Sequence, residues 1–463
     1  MNAKKIISGI LLAAIAGGLF SGCGSEGQLK TNKTEVLVVT NERSSMNVMQ
    51  KLVDGFNAEN DHITINYECK DDTISDYVMT TYTSKNPPDI HISCGVPMAE
   101  EAGWYRELPE DFVKECKEKF VESCFPAPDK NGKIFTFGLN GNGNQRLLYN
   151  KDLFKECGLD PENPPKTFDE MREYAKIITE KGNGVKYGFA MPFKDDIFSR
   201  YYAMIPGTMS GLMNRDGFEP TTNQFDFTMY AKMIYFLRDL ISDGSVFPTP
   251  YTLDNDTARA QFAEGNVGMI YGAAWDVGVY NDQFPAKCDW GIAWFPVFDK
   301  MTGGYPIGTT SQSKWYMSSM SKHPDEQLEV YKWLVSEEVA KVLLKENAIS
   351  SSTLKSLQNN FPESDKKGAK EFAEVAYPAF MLDAPKFPSG LKIDGDDQYT
   401  TLKNLILDPS LDVEQGLIDL GDKYNKAMKV LDEELKAEND SIEKYHIPDY
   451  KFIICSCYNR DKC

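Results

Sequence analysis

The sequence is poor in residues that carry metal and acid–base chemistry at neutral pH. It has four histidines in 463 residues, and no Cys-x-x-Cys pair with a second pair or histidines at zinc spacing. It also lacks the His-Glu-x-x-His, Gly-x-Ser-x-Gly and Gly-x-x-x-x-Gly-Lys-Ser/Thr motifs. We therefore expect no catalytic residue, no cofactor and no metal site.

Basic residues are in deficit. Fifty lysines and arginines stand against 69 aspartates and glutamates, a formal net charge of −19. No basic segment is concentrated enough to neutralise phosphates, which excludes nucleic acid and disfavours an anionic lipid surface as partners. The charge indicates a solvated acidic surface that keeps an exported protein soluble.

No apolar run reaches the roughly twenty residues of a membrane span. The apolar run over residues 6–20 follows Lys4 and Lys5, a pattern typical of an export signal. Residues 19–23 resemble the lipobox of bacterial lipoproteins, with Phe20 in place of the usual leucine. This resemblance implies a lipid anchor on Cys23, a flexible tether over 24–34, and a place on the extracellular face of the cell membrane, of Gram-positive type. The alternative is an ordinary signal peptide that ends near a cysteine.

The length and the periodicity predict two α/β units. A 463-residue chain exceeds the roughly 250–300 residues that one hydrophobic core supports. Residues 35–40 form a continuous apolar run typical of a buried strand, and an amphipathic helix and an alternating strand over 63–67 follow. Strand and helix patterns start again at 145–150, and Thr167 and Glu170 have capping-box spacing. Alternating strands and helices predict parallel sheets covered on both faces.

Four stretches together resemble the solute-binding proteins of carbohydrate ABC importers, the group that includes maltose-binding protein. Their order and spacing carry the resemblance, which spans nearly the whole chain after the export signal. The stretches are residues 88–90; 147–154 with 158–159 and 165–170; 262–269 with Gly272 and Trp275; and 411–417. In the last stretch, Gly416 replaces the usual alanine.

The resemblance implies a two-lobed α/β periplasmic-binding-protein fold of type II. Each lobe is expected to be a mixed β-sheet flanked by helices, with a hinge between the lobes. The expected divisions are 1–23 for the export signal, 24–34 for the tether, 35–142 with 296–336 for the first lobe, 143–290 with 337–445 for the second lobe, and 446–463 for a C-terminal tail.

The resemblance also implies a monomeric binding protein rather than an enzyme. It would hold a mono- or oligosaccharide in the cleft between the lobes and deliver it to ABC permease subunits, and it would touch the membrane only through its lipid anchor. One alternative is an extracellular hydrolase of polysaccharide, since 69 acidic residues leave a catalytic carboxylate pair open. Another is a binding module that serves a sensor.

Ligands of open α/β sheets bind beyond the carboxyl ends of the strands. That rule selects Asn41, Glu42, Arg43, Ser93 and Cys94. Asparagines on the crossover, hydroxyls before the next strand and three residues of the rim are further candidates, each with a turn or packing role as the alternative: Asn142, Asn144, Thr309, Thr310, Arg200, Tyr201 and Tyr399.

Trp275 matches the family's cleft tryptophan. An indole face packs on the apolar C–H face of a sugar ring, while polar groups around it bind the hydroxyls. The small residues 272–274 before it suggest a close backbone approach rather than a core position. Asp276 beside it is a further candidate ligand residue.

Overall fold

The computed structural model describes residues 33–70, 74–92, 99, 102–121, 124–125, 132–139, 145–210, 216–219, 221–298, 314–349, 352–357, 364–373, 391–437 and 441–446. The export signal, the lipobox with Cys23 and residues 447–463 of the tail lie outside these ranges. Over the ranges that are described, no helix has both the length and the apolar character needed to cross a membrane.

The described residues form ten strands. In chain order they are β1 Thr34–Thr40, β2 Ile63–Cys69, β3 Ile90–Ile92, β4 Gln145–Asn150, β5 Tyr187–Phe189, β6 Phe218–Glu219, β7 Gln224–Phe225, β8 Val267–Ala273, β9 Trp290–Ala293 and β10 Trp315–Met317.

The α-helices cover both sheets. In chain order they are α1 Met46–Glu59, α2 Ile74–Thr83, α3 Glu110–Lys119, α4 Lys151–Glu156, α5 Phe168–Lys181, α6 Ile205–Met209, α7 Ala231–Ser242, α8 Asn255–Ala263, α9 Asp276–Gly278, α10 Pro324–Leu334, α11 Glu337–Lys345, α12 Ala369–Ala373, α13 Gln398–Leu407 and α14 Val413–Ala437. Short 3₁₀ turns occupy Arg43–Ser45, Thr228–Tyr230, Lys355–Leu357 and Ile442–Tyr445, and π-helical turns occupy Arg200–Met204 and Val279–Gln283.

The first sheet has the order β10-β3-β1-β2. Strands β1, β2 and β3 are parallel, as the alternation of strands and helices predicts, and β10 runs antiparallel to β3. The carboxyl ends of the three parallel strands therefore meet at one edge of this sheet.

The second sheet has the order β5-β8-β4-β9. Strand β4 runs antiparallel to both β8 and β9, whereas β5 and β8 are parallel, so the sheet is mixed as the family resemblance implied and not wholly parallel as the alternation of strands and helices predicts. Because of this direction, the start of β4 lies beside the end of β8, with Gln145 opposite Ala273. The periodicity of apolar residues carries no information on strand direction.

Local signals set the ends of several helices as predicted. The Thr167 hydroxyl accepts a hydrogen bond from the backbone N–H of Glu170, and the Glu170 side chain accepts from the N–H of Thr167, so α5 begins with a complete capping box. Met49 and Val53 point inward from α1. These caps and apolar faces fix where the helices pack on the sheets.

Separate hydrophobic cores surround the two sheets. The first core joins β1, β2 and β3 to the helices on both faces, and the second sheet carries one core on each face. Val339, Leu344 and Leu354 belong to the core of the first sheet. Residues 337–357 therefore pack with the first lobe, whereas the sequence assigned them to the second, because apolar periodicity does not say which sheet a helix covers.

Candidate functional site

Trp275 lies two residues after the end of β8, at the edge of the second sheet where β4 begins. Trp275 is half-buried, whereas Ala274 and Asp276 on either side of it are buried. The close approach expected before it is present at Gly272, where a Cβ atom would lie 2.6 Å from Cδ1 of Leu148 and 3.1 Å from Oδ2 of Asp276. The sequence before Trp275 thus packs closely against Leu148 and Asp276.

Asp276 is turned into the protein and holds this turn in place. The backbone N–H of Ala273 donates to Oδ2 of Asp276 at 2.6 Å, and Oδ1 lies 2.8 Å from Nη2 of Arg259. Burial raises the pKa of Asp276, while Arg259 and the Ala273 N–H favour the carboxylate. The Asp276 carboxylate is therefore already occupied by protein groups, and we assign it a positioning role.

Asp256 connects this turn to the first sheet. It lies in the first turn of α8, 3.3 Å from Nη1 of Arg259, and its Oδ2 lies 3.8 Å from Nη1 of Arg43. Arg43 follows β1, so the side chains of Arg43, Asp256, Arg259 and Asp276 form a row of alternating charge from one lobe to the other. We call this row the four-charge chain.

Arg146 and Trp294 form a second feature at this edge that the sequence analysis did not identify. The Arg146 guanidinium carbon lies 3.6 Å from the centre of the Trp294 ring, and Nη1 donates to the Gln145 carbonyl at 2.9 Å. Arg146 is only 2% exposed and lies in β4, a strand in which every residue is buried. A charged residue inside a buried strand was the available signal.

The carboxyl edge of the first sheet carries the predicted residues Asn41, Glu42 and Arg43. Asn41 is exposed, and the Glu42 N–H donates to the Thr40 hydroxyl at 3.0 Å. The phenol of the buried Tyr67 in β2 has a raised pKa, first because of burial and then because of the Glu42 carboxylate.

Lys70 lies at the same edge of the first sheet, and the sequence analysis did not identify it. Its backbone N–H donates to the Thr40 carbonyl at 2.8 Å, which places it beside the end of β1. Its ammonium lies 2.7 Å from the Glu68 carboxylate and over the ring of Tyr77.

The predicted rim residues Arg200, Tyr201 and Tyr399 lie together. The Ser199 hydroxyl donates to the Tyr399 carbonyl at 2.9 Å, which joins the π-helical turn Arg200–Met204 to α13. Tyr201 and Tyr399 both pack partly buried against the core of the second lobe. A π-helical turn is frequent at functional sites, and ligand contact by these three residues stays a prediction.

Several predicted ligand residues lie outside the described residues. They are Ser93, Cys94, Asn142, Asn144, Thr309 and Thr310. Within the described part of the chain, no group of three or more His, Cys, Asp or Glu side chains is arranged to hold a metal ion.

Comparison with known proteins now decides the family. The family described as bacterial extracellular solute-binding protein matches residues 40–341, more than half of the chain. The chain belongs to this family. The match confirms the resemblance found in the sequence motifs. The family is defined by the binding of an extracellular solute.

Curated relatives match part of the chain. The sn-glycerol-3-phosphate-binding periplasmic proteins UgpB of Shigella dysenteriae serotype 1 and of Escherichia coli strain K12 are each 28% identical over 195 residues. The aligned residues are 40% of this chain and 42% of each relative. The match therefore spans less than half the length of these relatives.

Solved structures share the fold over most of the chain. The maltose/maltodextrin-binding domain MalE of Bdellovibrio bacteriovorus, bound to maltotriose, has a TM-score of 0.64 at 18% identity and covers 86% of this chain and 100% of that chain. RafE in complex with raffinose has a TM-score of 0.62 at 18% identity, covering 85% and 100%. These structures confirm the two-lobed periplasmic-binding-protein fold.

Proposed function

We propose that this protein is the solute-binding component of an ABC importer and that it binds a carbohydrate in the cleft between its lobes. The observation that carries the proposal is Trp275, a half-buried tryptophan next to the turn that the Asp276–Ala273 hydrogen bond and the Asp276–Arg259 ion pair hold. A partly exposed indole offers a flat apolar face, and a sugar ring packs on such a face while polar groups nearby bind its hydroxyls.

The four-charge chain supports a closing motion around the ligand. Arg43 and Asp256 come from different lobes and are about half exposed, at 51% and 43%. An exposed pair of this kind contributes roughly 0–1 kcal/mol, too little to hold the lobes closed alone. A ligand that contacts both lobes adds the rest and shifts the population towards the closed state, which the permease binds.

The expected affinity requires several contacts besides Trp275. Micromolar binding corresponds to about −8 kcal/mol. One aromatic stack supplies about 0.5–1.5 kcal/mol beyond area burial, and each hydrogen bond adds a net of about 1 kcal/mol. The polar side chains at the edges of both sheets, including Asn41 and Glu42, are the groups that we propose make these hydrogen bonds.

Calorimetry tests the proposal. Thermal-shift screening against a panel of mono- and oligosaccharides identifies the ligand, because a compound that binds only the native state raises the melting temperature. Trp275→Ala is expected to weaken that ligand at least about tenfold, or 1.4 kcal/mol. Tyr235→Ala, which removes an exposed aromatic ring from α7, serves as the matched control. Unchanged affinity in Trp275→Ala removes the indole from the site.

A polysaccharide hydrolase and a sensor module are the competing functions. Incubation of the protein with candidate oligosaccharides separates the first, since a hydrolase releases products and a binding protein returns the sugar intact. Deletion of the gene for this protein separates the second, because cells that lack a transport component lose uptake of the sugar while cells that lack a sensor module keep a transporter that takes it up.

We also propose that a lipid on Cys23 holds the protein at the extracellular face of the membrane. The support is the lipobox-like run of residues 19–23 with the apolar segment before it. Cells fed labelled palmitate are expected to label the wild-type protein and to leave Cys23→Ala unlabelled and released into the medium. Equal labelling of both proteins contradicts the anchor.

A further inference from the structure

Among the described residues, the cations at the cleft edges of the two sheets do not outnumber the carboxylates. At the end of β1 and β2 lie two carboxylates and two cations, Glu42, Glu68, Arg43 and Lys70. At the end of β8, the start of β4 and the N-terminus of α8 lie three carboxylates and two cations, Asp254, Asp256, Asp276, Arg146 and Arg259. Neither edge therefore carries an excess of cations among these residues.

Asp256 is central to this balance because it lies between two guanidinium groups. Nη1 of Arg259 is 3.3 Å from Oδ1, and Nη1 of Arg43 is 3.8 Å from Oδ2. Arginine pairs are the usual means of binding phosphate and carboxylate ligands, through paired N–H donors. Here the Asp256 carboxylate occupies the position between the two arginines that an anionic ligand would need.

The N-terminus of α8 is also compensated. A helix start of this kind attracts anions through its free N–H groups and its dipole. The Asp254 side chain accepts from the Thr257 N–H at 2.8 Å, and Asp256 adds a second carboxylate in the first turn. An incoming phosphate would therefore meet two carboxylates at this helix end instead of free donors.

We infer that the cleft selects an uncharged polyhydroxylated ligand, and that Asp256 is the residue that excludes phosphate-bearing and carboxylate-bearing analogues. The inference rests on the proposed function, because it assumes that a solute binds between these two edges. It separates this protein from the curated relatives named for sn-glycerol 3-phosphate. Hydroxyl groups bond to paired carboxylates and guanidinium groups without adding a buried charge.

The experiment compares matched ligands on three proteins. Wild type, Asp256→Asn and Asp239→Asn are titrated by calorimetry with inorganic phosphate, and with glucose, glycerol and their phosphate esters. Asp239→Asn is the matched control. Asp239 lies on α7 and is one of two carboxylates around Arg172 of α5, so the substitution also removes one of two carboxylates around an arginine. Arg172 keeps Asp243 in this control, as Arg259 keeps Asp276 in Asp256→Asn.

We expect Asp256→Asn to bind inorganic phosphate at least about tenfold more tightly than wild type and Asp239→Asn do. We also expect no phosphate ester to bind wild type more tightly than its uncharged parent. Equal phosphate affinity in all three proteins overturns the role of Asp256. A wild-type protein that prefers a phosphate ester overturns the selection for uncharged ligands and leaves solute binding intact. If no sugar of the screening panel binds, the proposed carbohydrate function fails, and the phosphate titrations still decide the role of Asp256.

Discussion

Replacing Arg259 with methionine removes the charge that compensates the buried Asp276 carboxylate. The side chain of Asp276 is 4% exposed and that of Arg259 is 15% exposed, and their atoms lie 2.8 Å apart. Removing one partner of a buried ion pair lowers the free energy of unfolding by about 3–5 kcal/mol, because the other charge stays buried without compensation. The Ala273 N–H still donates to Asp276 at 2.6 Å, so we expect about 3 kcal/mol, the lower end of that range.

The loss should be visible as a melting shift and as a pH dependence. About 3 kcal/mol corresponds to a decrease of roughly 6–12 °C for a lobe of this size. Burial raises the pKa of Asp276 above its unfolded value even with Arg259 present, and the substitution raises it further. A group with a raised folded pKa contributes stability that is present below the unfolded pKa and lost as the pH rises through the folded pKa. The stability difference between Arg259→Met and wild type should therefore shrink as the pH falls towards about 4.

Urea unfolding at several pH values measures both effects. The double variant Arg259→Met/Asp276→Asn provides the decisive comparison, because it leaves no buried charge and should recover at least about 1 kcal/mol of the single-variant loss. Arg172→Met is a control for the loss of a more exposed arginine on the same lobe. Additive losses in the double variant, or a difference that is the same at every pH, would refute the ion-pair reasoning.

Three further variants test the packing around the site. Gly272→Ala places a Cβ against Leu148 and Asp276, so it should cost about 1–3 kcal/mol and weaken sugar binding, measured by urea unfolding and calorimetry; wild-type affinity would contradict the close approach. Trp294→Ala removes the ring from the Arg146 guanidinium and should cost about 2 kcal/mol in the same unfolding assay, whereas Trp294→Phe should cost less; equal losses would argue against stacking. Thr167→Ala removes the α5 cap and should cost about 1 kcal/mol with sugar affinity unchanged.

Local signals explain which parts of the fold were predictable. The capping box at Thr167 and Glu170 acts within four residues, and the apolar faces of β1 and α1 repeat along one element. Such patterns are complete in the sequence, so the elements were predicted with nearly the observed bounds. The direction of β4 and the packing of residues 337–357 depend on partners far along the chain, and no periodicity records them.

The same limit applies to the site. Trp275 was selected as a candidate because its neighbours resemble a family motif and because the small residues before it indicate a close backbone approach, which the structure has at Gly272. The pair Arg43 and Asp256 joins residues more than two hundred positions apart, and the stack of Arg146 on Trp294 depends on the register of two antiparallel strands. Neither contact could be read from one sequence, because tertiary pairing alone creates it.

Small-angle X-ray scattering during a sugar titration tests the central claim most directly. The protein is titrated with the sugar identified by thermal shift, and the radius of gyration is followed to saturation. Closure of two lobes on the ligand predicts a radius that decreases and saturates with the dissociation constant found by calorimetry. A radius that stays constant while the sugar binds would contradict the account.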